Sequence, residues 1–428
     1  MVIRFGRIIP VLACALAMLL LSSCAGADAG LEGLMLPPKL TSEQSELYSA
    51  LETAAGTENL RLRYPKSGEG SSAFIFRDID ADGADEAIVF YSTQDSSATR
   101  INILRKTAEK WVSVYDMKGN DTSVVSVDFA QAQTGLRIVI GWSSAISGQK
   151  TLTLCRFADN MLSEELTMPY QASAICDMTG DDYEEVVVFG AADDNGDTAV
   201  SLLSLDGEQP RVTSETKLAF GAEDYLAITP GKMSGFRALY VDYSVGGGVY
   251  SSDVIYFTGD GLKSYFSEYD LLPLRYEEIV TEDVTGNGVP DIPVQRAMTD
   301  SGDEDAVCMT EYIELNGKSS VTVMTAVINL RDGYLFELPA DWIDSVELRK
   351  SGDSGEWCFF EKNGNSFTEV ELLRIKTVNK NTYHDKFDES YKLIADRGVN
   401  QYYMFVPVSE SPMKLSLTEC KNRFRLLG

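Results

Sequence analysis

Between the Gly-, Asp- and Ser-rich stretches of the chain, apolar and polar residues alternate in short runs, which predicts β-strands joined by tight turns. Arg100-Ile101-Asn102-Ile103-Leu104 and Trp111-Val112-Ser113-Val114-Tyr115 alternate on either side of a Lys-rich turn and predict a hairpin. Asp253-Val254-Ile255-Tyr256-Phe257, running into Thr258-Gly259-Asp260-Gly261, predicts another. One helix is expected ahead of the strands. Thr41 or Ser42 caps Glu43 to Ala55, Leu47 and Leu51 share one face, and Gly56 ends it.

A repeat organises the strands. Asp78-Ile79-Asp80-Ala81-Asp82-Gly83-Ala84-Asp85-Glu86, Asp177 to Glu185 and Asp283 to Asp291 each place an oxygen-bearing side chain at relative positions 1, 3, 5 and 9, and an apolar β-type run follows. Those residues are Asp78, Asp80, Asp82 and Glu86; Asp177, Thr179, Asp181 and Glu185; and Asp283, Thr285, Asn287 and Asp291. Odd spacing in a tight loop turns alternate side chains toward one centre. Hard oxygens so arranged suit Ca²⁺, with the main-chain carbonyl at position 7 (Ala84, Tyr183, Val289) as a further ligand. Position 6 needs positive φ, which Gly83 and Gly288 adopt freely and Asp182 adopts at some cost.

Two rivals are weaker. An EF-hand would carry a bidentate Glu at position 12, where Val89, Val188 and Val294 stand, and a helix rather than a β-branched run would follow. An Asp/Gly-rich turn that binds nothing is the other. Against it, several carboxylates aimed at one point repel each other unless a cation sits among them.

Degenerate copies fill the gaps. Ala130 to Ile138 keeps Gly135 at position 6 and a strand behind it but has Ala130, Ala132, Thr134 and Ile138 at the ligand positions. Pro230 to Val241 keeps Gly235 but has Lys232 at position 3. The five copies begin at 78, 130, 177, 230 and 283, spaced by 52, 47, 53 and 53 residues. A period near ~50 residues with several strands per unit is the mark of propeller blades. The loops and the strands behind them resemble the FG-GAP or VCBS repeats of integrin-type β-propellers. The resemblance implies four-stranded antiparallel blades with Ca²⁺ held between strands at the three full motifs. The expected fold is thus mainly β: a propeller-like array of about five ~50-residue blades over 41–338, and a small α+β domain over 339–428 where the period is lost. In that domain strands are expected at Glu356 to Phe360, Glu369 to Thr377 and Tyr402 to Val406, mixed with helices.

The N-terminus assigns a compartment. Arg4 and Arg7 precede the apolar stretch Ile8 to Leu21, which has the length of a signal-peptide core. Leu21-Ser22-Ser23-Cys24 resembles the lipobox of bacterial lipoproteins and, with the repeats, VCBS-repeat lipoproteins of Gram-positive bacteria. The resemblance implies a signal peptide over 1–23, diacylation at Cys24 and a tether over 24–40 that holds a monomer on the extracytoplasmic face of the bacterial membrane. An ordinary secretory signal cleaved near Ala25 to Ala29 is the competing reading.

Composition narrows function. The 428 residues carry a net charge of −28, which disfavours nucleic acid and polybasic membrane adsorption and favours cations. The single His384 excludes a multi-His zinc site and weakens any Ser-His or Cys-His scheme. Cys155, Cys176, Cys308, Cys358 and Cys420 form an odd set without CxxC spacing, so buried free thiols are expected. Gly246-Gly247-Gly248 reads as a loop tip. The expected activity is binding of a protein or glycan by a scaffold with up to three structural Ca²⁺, through exposed aromatics such as Trp142, Tyr243 and Tyr250. The alternative is a hydrolase acting on a sugar or lactone in the propeller channel.

Overall fold

The computed structural model describes residues 41–298, 307–351, 355–363, 366–381 and 390–427. The expected signal peptide, Cys24, the expected tether and His384 lie outside the described residues. The fold is mainly β, built of antiparallel sheets whose strands mostly follow one another in chain order. By its contacts the chain divides into two compact units, one built on the helix and the first sheet, the other on the chain from Asp121 onward together with the short segments Pro65–Ser71 and Ile79–Ala81.

In the first unit the helix runs Ser42–Ala55. Thr41 caps it in a capping box with Gln44, and Gly56 closes it in the left-handed region at φ 67°. Leu47 and Leu51 are fully buried in a cluster with Phe74, Val89, Leu104 and Trp111. The sheet joins Leu60–Arg63, Glu86–Thr93, Arg100–Lys106 and Trp111–Lys118, with Phe74–Arg77 also on Glu86–Thr93. The first acidic loop therefore connects two paired strands.

The second unit repeats this plan. Its second sheet is Ser123–Ala132, Gly135–Ser143, Lys150–Ala158 and Met161–Pro169; the third is Ala172–Cys176, Glu185–Ala192, Thr198–Ser204 and Arg211–Lys217; the fourth is Asp224–Met233, Phe236–Gly246, Val249–Thr258 and Gly261–Ser264. The fifth contains Ile292–Ala297, Cys308–Asn316, Ser319–Asn329 and Tyr334–Glu337, and the final strand Phe424–Leu426 returns to pair with Tyr334–Glu337. A sixth sheet spans Val346–Ser351, Glu356–Asn363, Ser366–Asn379, Asn400–Phe405 and Lys392–Arg397, and a short helix, Leu417–Arg423, precedes the last strand.

Within this unit each sheet packs on the next in sequence. Val139, Leu152 and Leu154 meet Val186, Val188 and Leu203; Val187, Phe189 and Leu202 meet Leu239, Val241 and Ile255; Tyr240 and Val254 meet Ile292 and Val294; Phe336 and Val327 meet Trp357 and Phe359. A strand covered on both faces has no polar side, which is why the residues behind each acidic loop form continuous apolar runs such as Val186 to Phe189. Each such buried side chain contributes about 1.5–3 kcal/mol.

Candidate metal centres

The three acidic loops share one hydrogen-bond plan. The position 1 carboxylate gathers backbone N–H groups from positions 4 to 6: Asp78 accepts from Asp82 and Gly83 at 3.1 and 3.0 Å, Asp177 from Gly180 and Asp182 at 2.6 and 2.9 Å, and Asp283 from Gly286, Asn287 and Gly288 at 2.7, 3.0 and 2.7 Å. The position 5 side chain accepts the N–H of position 7, from Ala84 to Asp82 at 2.9 Å, Tyr183 to Asp181 at 3.0 Å and Val289 to Asn287 at 2.7 Å. In the second and third loops the position 9 carboxylate closes the cage on position 2: Glu185 accepts from Met178 at 2.8 Å and Asp291 from Val284 at 3.1 Å.

Positive φ is needed twice per loop. At position 6, Gly83, Asp182 and Gly288 lie at 89°, 71° and 83°, so Asp182 does adopt the conformation its neighbours leave to glycine. Position 4 is left-handed as well, including Ala81 at 61°. Ala has no preference for that region, so nothing in the local sequence announced it.

The loops differ in how charge is balanced. Asp78, Asp80 and Glu86 bring carboxylate oxygens within 4.8 Å of one another, the one such acidic group among the described residues. Glu86 is fully buried, and Arg105 Nε donates to it at 2.9 Å. In the second loop Thr179 Oγ1 donates to Glu185 at 2.9 Å, and burial pushes the Glu185 carboxyl up. Asp177 and Asp181 do not join Glu185 in a comparable group. Instead Arg237 contacts Asp177 Oδ2 at 2.9 Å.

In the third loop the N–H groups of Gly288, Asn287 and Gly286 hold the Asp283 carboxyl below its usual range, while Thr285 Oγ1 donates to it at 3.3 Å. Burial pushes Asp291 the other way, and the charges of Glu314 and Asp283 add to the shift. Asp291 Oδ1 is buried with no hydrogen-bond partner, an orphaned acceptor of the kind a cation satisfies. Glu314 accepts from Asn287 Nδ2 at 3.0 Å, which fixes the amide with its oxygen on the loop side. The donor set of the first loop fits a hard divalent ion, and the orphaned oxygen argues the same for the third. Arg105 and Glu314 lie outside every copy of the motif and Arg237 belongs to a degenerate one, so only tertiary structure reveals their contacts with the acidic loops.

The expected aromatic binding residues need correction. Trp142 and Tyr243 are 1% and 0% exposed, because the strands that carry them are covered on both faces. Tyr250 is half-buried, and its main chain pairs with Arg275. Aromatic surface occurs elsewhere. A cleft of about 580 Å³ is lined by Phe236, Tyr256, Tyr265 and Phe266, with Asp270 and Lys318 among its polar groups. Gly247 and Gly248 form the tip of a hairpin closed by Gly246 and Val249, as expected. The five cysteines among the described residues are free thiols, three of them buried.

No family model matches the chain, and no curated protein matches it. Among solved structures it is similar to the exotype rhamnogalacturonan lyase YesX (10% identity, 70% of this chain and 61% of that one, TM-score 0.27). It is also similar to the Bacillus licheniformis rhamnogalacturonan lyase PL11 (10% identity, 69% and 59%, TM-score 0.28). A third is Saccharomyces cerevisiae Sqt1 (10% identity, 81% and 100%, TM-score 0.30). The chain spans about 60% of the length of either lyase. Likeness this slight carries no argument about function.

Proposed function

We propose that the chain is a lipid-anchored β-propeller on the extracytoplasmic face of a bacterial membrane, stiffened by structural Ca²⁺ in its acidic loops, that binds a protein or glycan ligand and serves as a scaffold rather than an enzyme. The observation that carries this reading is the recurring cage: three loops of nine residues, alike in hydrogen bonding, each opening into a buried strand. Sequential face-to-face packing of the sheets supports the propeller. Asp78, Asp80 and Glu86 would hold the best-defined ion, with Asp283 and Asp291 contributing to another. A bound cation neutralises carboxylates that otherwise repel, and so fixes the turns between strands. The anchor rests on Leu21-Ser22-Ser23-Cys24 and the apolar stretch before it.

The aromatic cleft is the seat we assign to the ligand. Phe236 and Tyr256 lie 5.8 Å apart at a tilt, and Tyr265 meets Phe266 edge-on at 5.0 Å, which offers flat apolar faces beside polar groups. The test uses the chain from Ala25 on, immobilised and exposed to a glycan array and a cell-surface protein extract, beside a Phe236→Ala/Tyr265→Ala variant. Retention by the parent and loss by an equally folded variant is expected. Turnover of a glycan by the parent would favour the hydrolase alternative, and retention by neither protein would remove the assigned seat.

A further inference from the structure

In the third, fourth and fifth copies the residue at position 8 of the repeat reaches back to the preceding copy, whereas Arg137 of the second bonds Glu165 within its own sheet. Glu184, of the third copy, accepts from the Gln131 N–H at 2.7 Å and returns its own N–H to Gln131 O at 2.9 Å. Pro290, of the fifth, lies so close to the fourth that a Cβ on Gly231 would stand 2.7 Å from its Cδ. Arg237, of the fourth, reaches Asp177 of the third at 2.9 Å. Gln131 and Gly231 stand at position 2 of their copies and Asp177 at position 1, so in these three copies one repeat position meets the start of the preceding loop.

Of these three receiving copies only the one at Asp177 is acidic, and there the incoming side chain is a guanidinium. The copy that supplies it has no use for an ion: Pro230, Lys232, Ser234 and Ala238 stand at its ligand positions, and the loop has shrunk to a two-residue turn at Ser234-Gly235 with φ 50° and 88°. Asp177 is left with both oxygens committed, Oδ1 to Gly180 and Oδ2 to Asp182 and Arg237. Its side chain is 12% exposed, whereas that of Arg237 is 42% exposed. The guanidinium thus approaches a recessed carboxylate from the solvent side.

We propose that Arg237 is a tethered cation that supplies to the second loop the positive charge a divalent ion supplies to the first. The inference rests on the reading of these loops as cation sites. The recessed Asp177 carboxylate needs countercharge, and a guanidinium on the same chain provides it without dilution and beyond the reach of a chelator. Affinity of the second loop for a divalent ion is therefore set by competition with Arg237, and the lock between the third and fourth sheets persists when calcium falls.

Calcium titration calorimetry and chelator melts on the full chain test this, with the parent, Arg237→Gln, Arg237→Lys, Arg237→Gln/Asp177→Asn and Asp78→Ala/Asp80→Ala. Arg237→Gln should gain one calcium equivalent, or bind at one site at least tenfold more tightly, and its melting temperature should become more sensitive to chelator. Asp177→Asn on top should abolish the gain, and Arg237→Lys, which keeps the charge, should behave as the parent does. A folded Arg237→Gln with unchanged stoichiometry and affinity overturns the proposal. If the parent's calcium binding is meanwhile lost in Asp78→Ala/Asp80→Ala, the reading of the first loop stands and only the role of Arg237 falls. Absence of binding in every variant overturns both.

Discussion

Replacing Arg275 by Met probes how the long irregular stretch ahead of the third loop is held. Arg275 and Asp242 are both fully buried and paired at 2.9 Å. Asp242 also accepts from Ser252 Oγ at 2.5 Å, Thr281 N at 2.8 Å and Thr281 Oγ1 at 3.1 Å. Arg275 in turn donates to Ile279 O at 2.7 Å and Ser252 Oγ at 2.8 Å. The network fastens residues 273–281 to the fourth sheet and so positions the chain entering Asp283. Removing the guanidinium leaves a buried carboxylate without its countercharge, a loss of about 3–5 kcal/mol. The three surviving donors to Asp242 place the expected value at the lower end. Asp242→Leu/Arg275→Met removes both charges and should lie within about 2 kcal/mol of the parent. Denaturant unfolding in calcium, followed by Trp fluorescence, measures both through the midpoint at constant m. The reasoning is refuted if Arg275→Met costs under about 1 kcal/mol, or if the double variant loses as much as the single one.

Other consequences follow from burial. The Asp253 carboxyl accepts from Ala219 N, Val254 N and Ser264 Oγ, yet burial raises it to about 6. The folded protein therefore keeps that proton where the unfolded chain has lost it, so the group's stabilisation is full below about pH 4 and is lost as pH rises through about 6. Asp253→Asn should gain on the parent by about 3 kcal/mol between those limits, read as unfolding midpoints across pH; a constant difference would count against it. Gly141→Ala would set a Cβ 2.0 Å from Tyr170 Oη and 2.6 Å from Ser126 Oγ. Overpacking there should cost about 1–3 kcal/mol, and a neutral result in thermal melts would show that Tyr170 gives way. Leu51→Ala empties a fully buried site under the helix and should cost about 2–5 kcal/mol in the same assay.

Local signals in the chain were readable, and long-range ones were not. Thr41, Leu47, Leu51 and Gly56 announce the helix because cap, face and stop are each encoded within a turn or two. The spacing of Asp78, Asp177 and Asp283 likewise exposes the three loops, since a turn's hydrogen bonds are made by its own residues. Arg105 on Glu86 and Glu314 on Asn287 stand 19 and 27 residues from their partners, and no spacing rule connects them. The burial of Trp142 and Tyr243 has no local mark for a related reason: alternation tells which residues share a face, but not that both faces are covered. The pairing of Phe424–Leu426 with Tyr334–Glu337 spans almost ninety residues and has no local mark.

Calcium binding at the first loop is the most direct test of the account. Isothermal titration and melting of the parent beside Asp78→Ala/Asp80→Ala should show one equivalent lost from the variant. At ~10 mM calcium and an affinity of ~10⁻⁴–10⁻³ M, that ion stabilises the parent by about 1.4–2.7 kcal/mol, and the variant forgoes it. Identical binding isotherms and identical melting shifts on adding calcium would contradict the account.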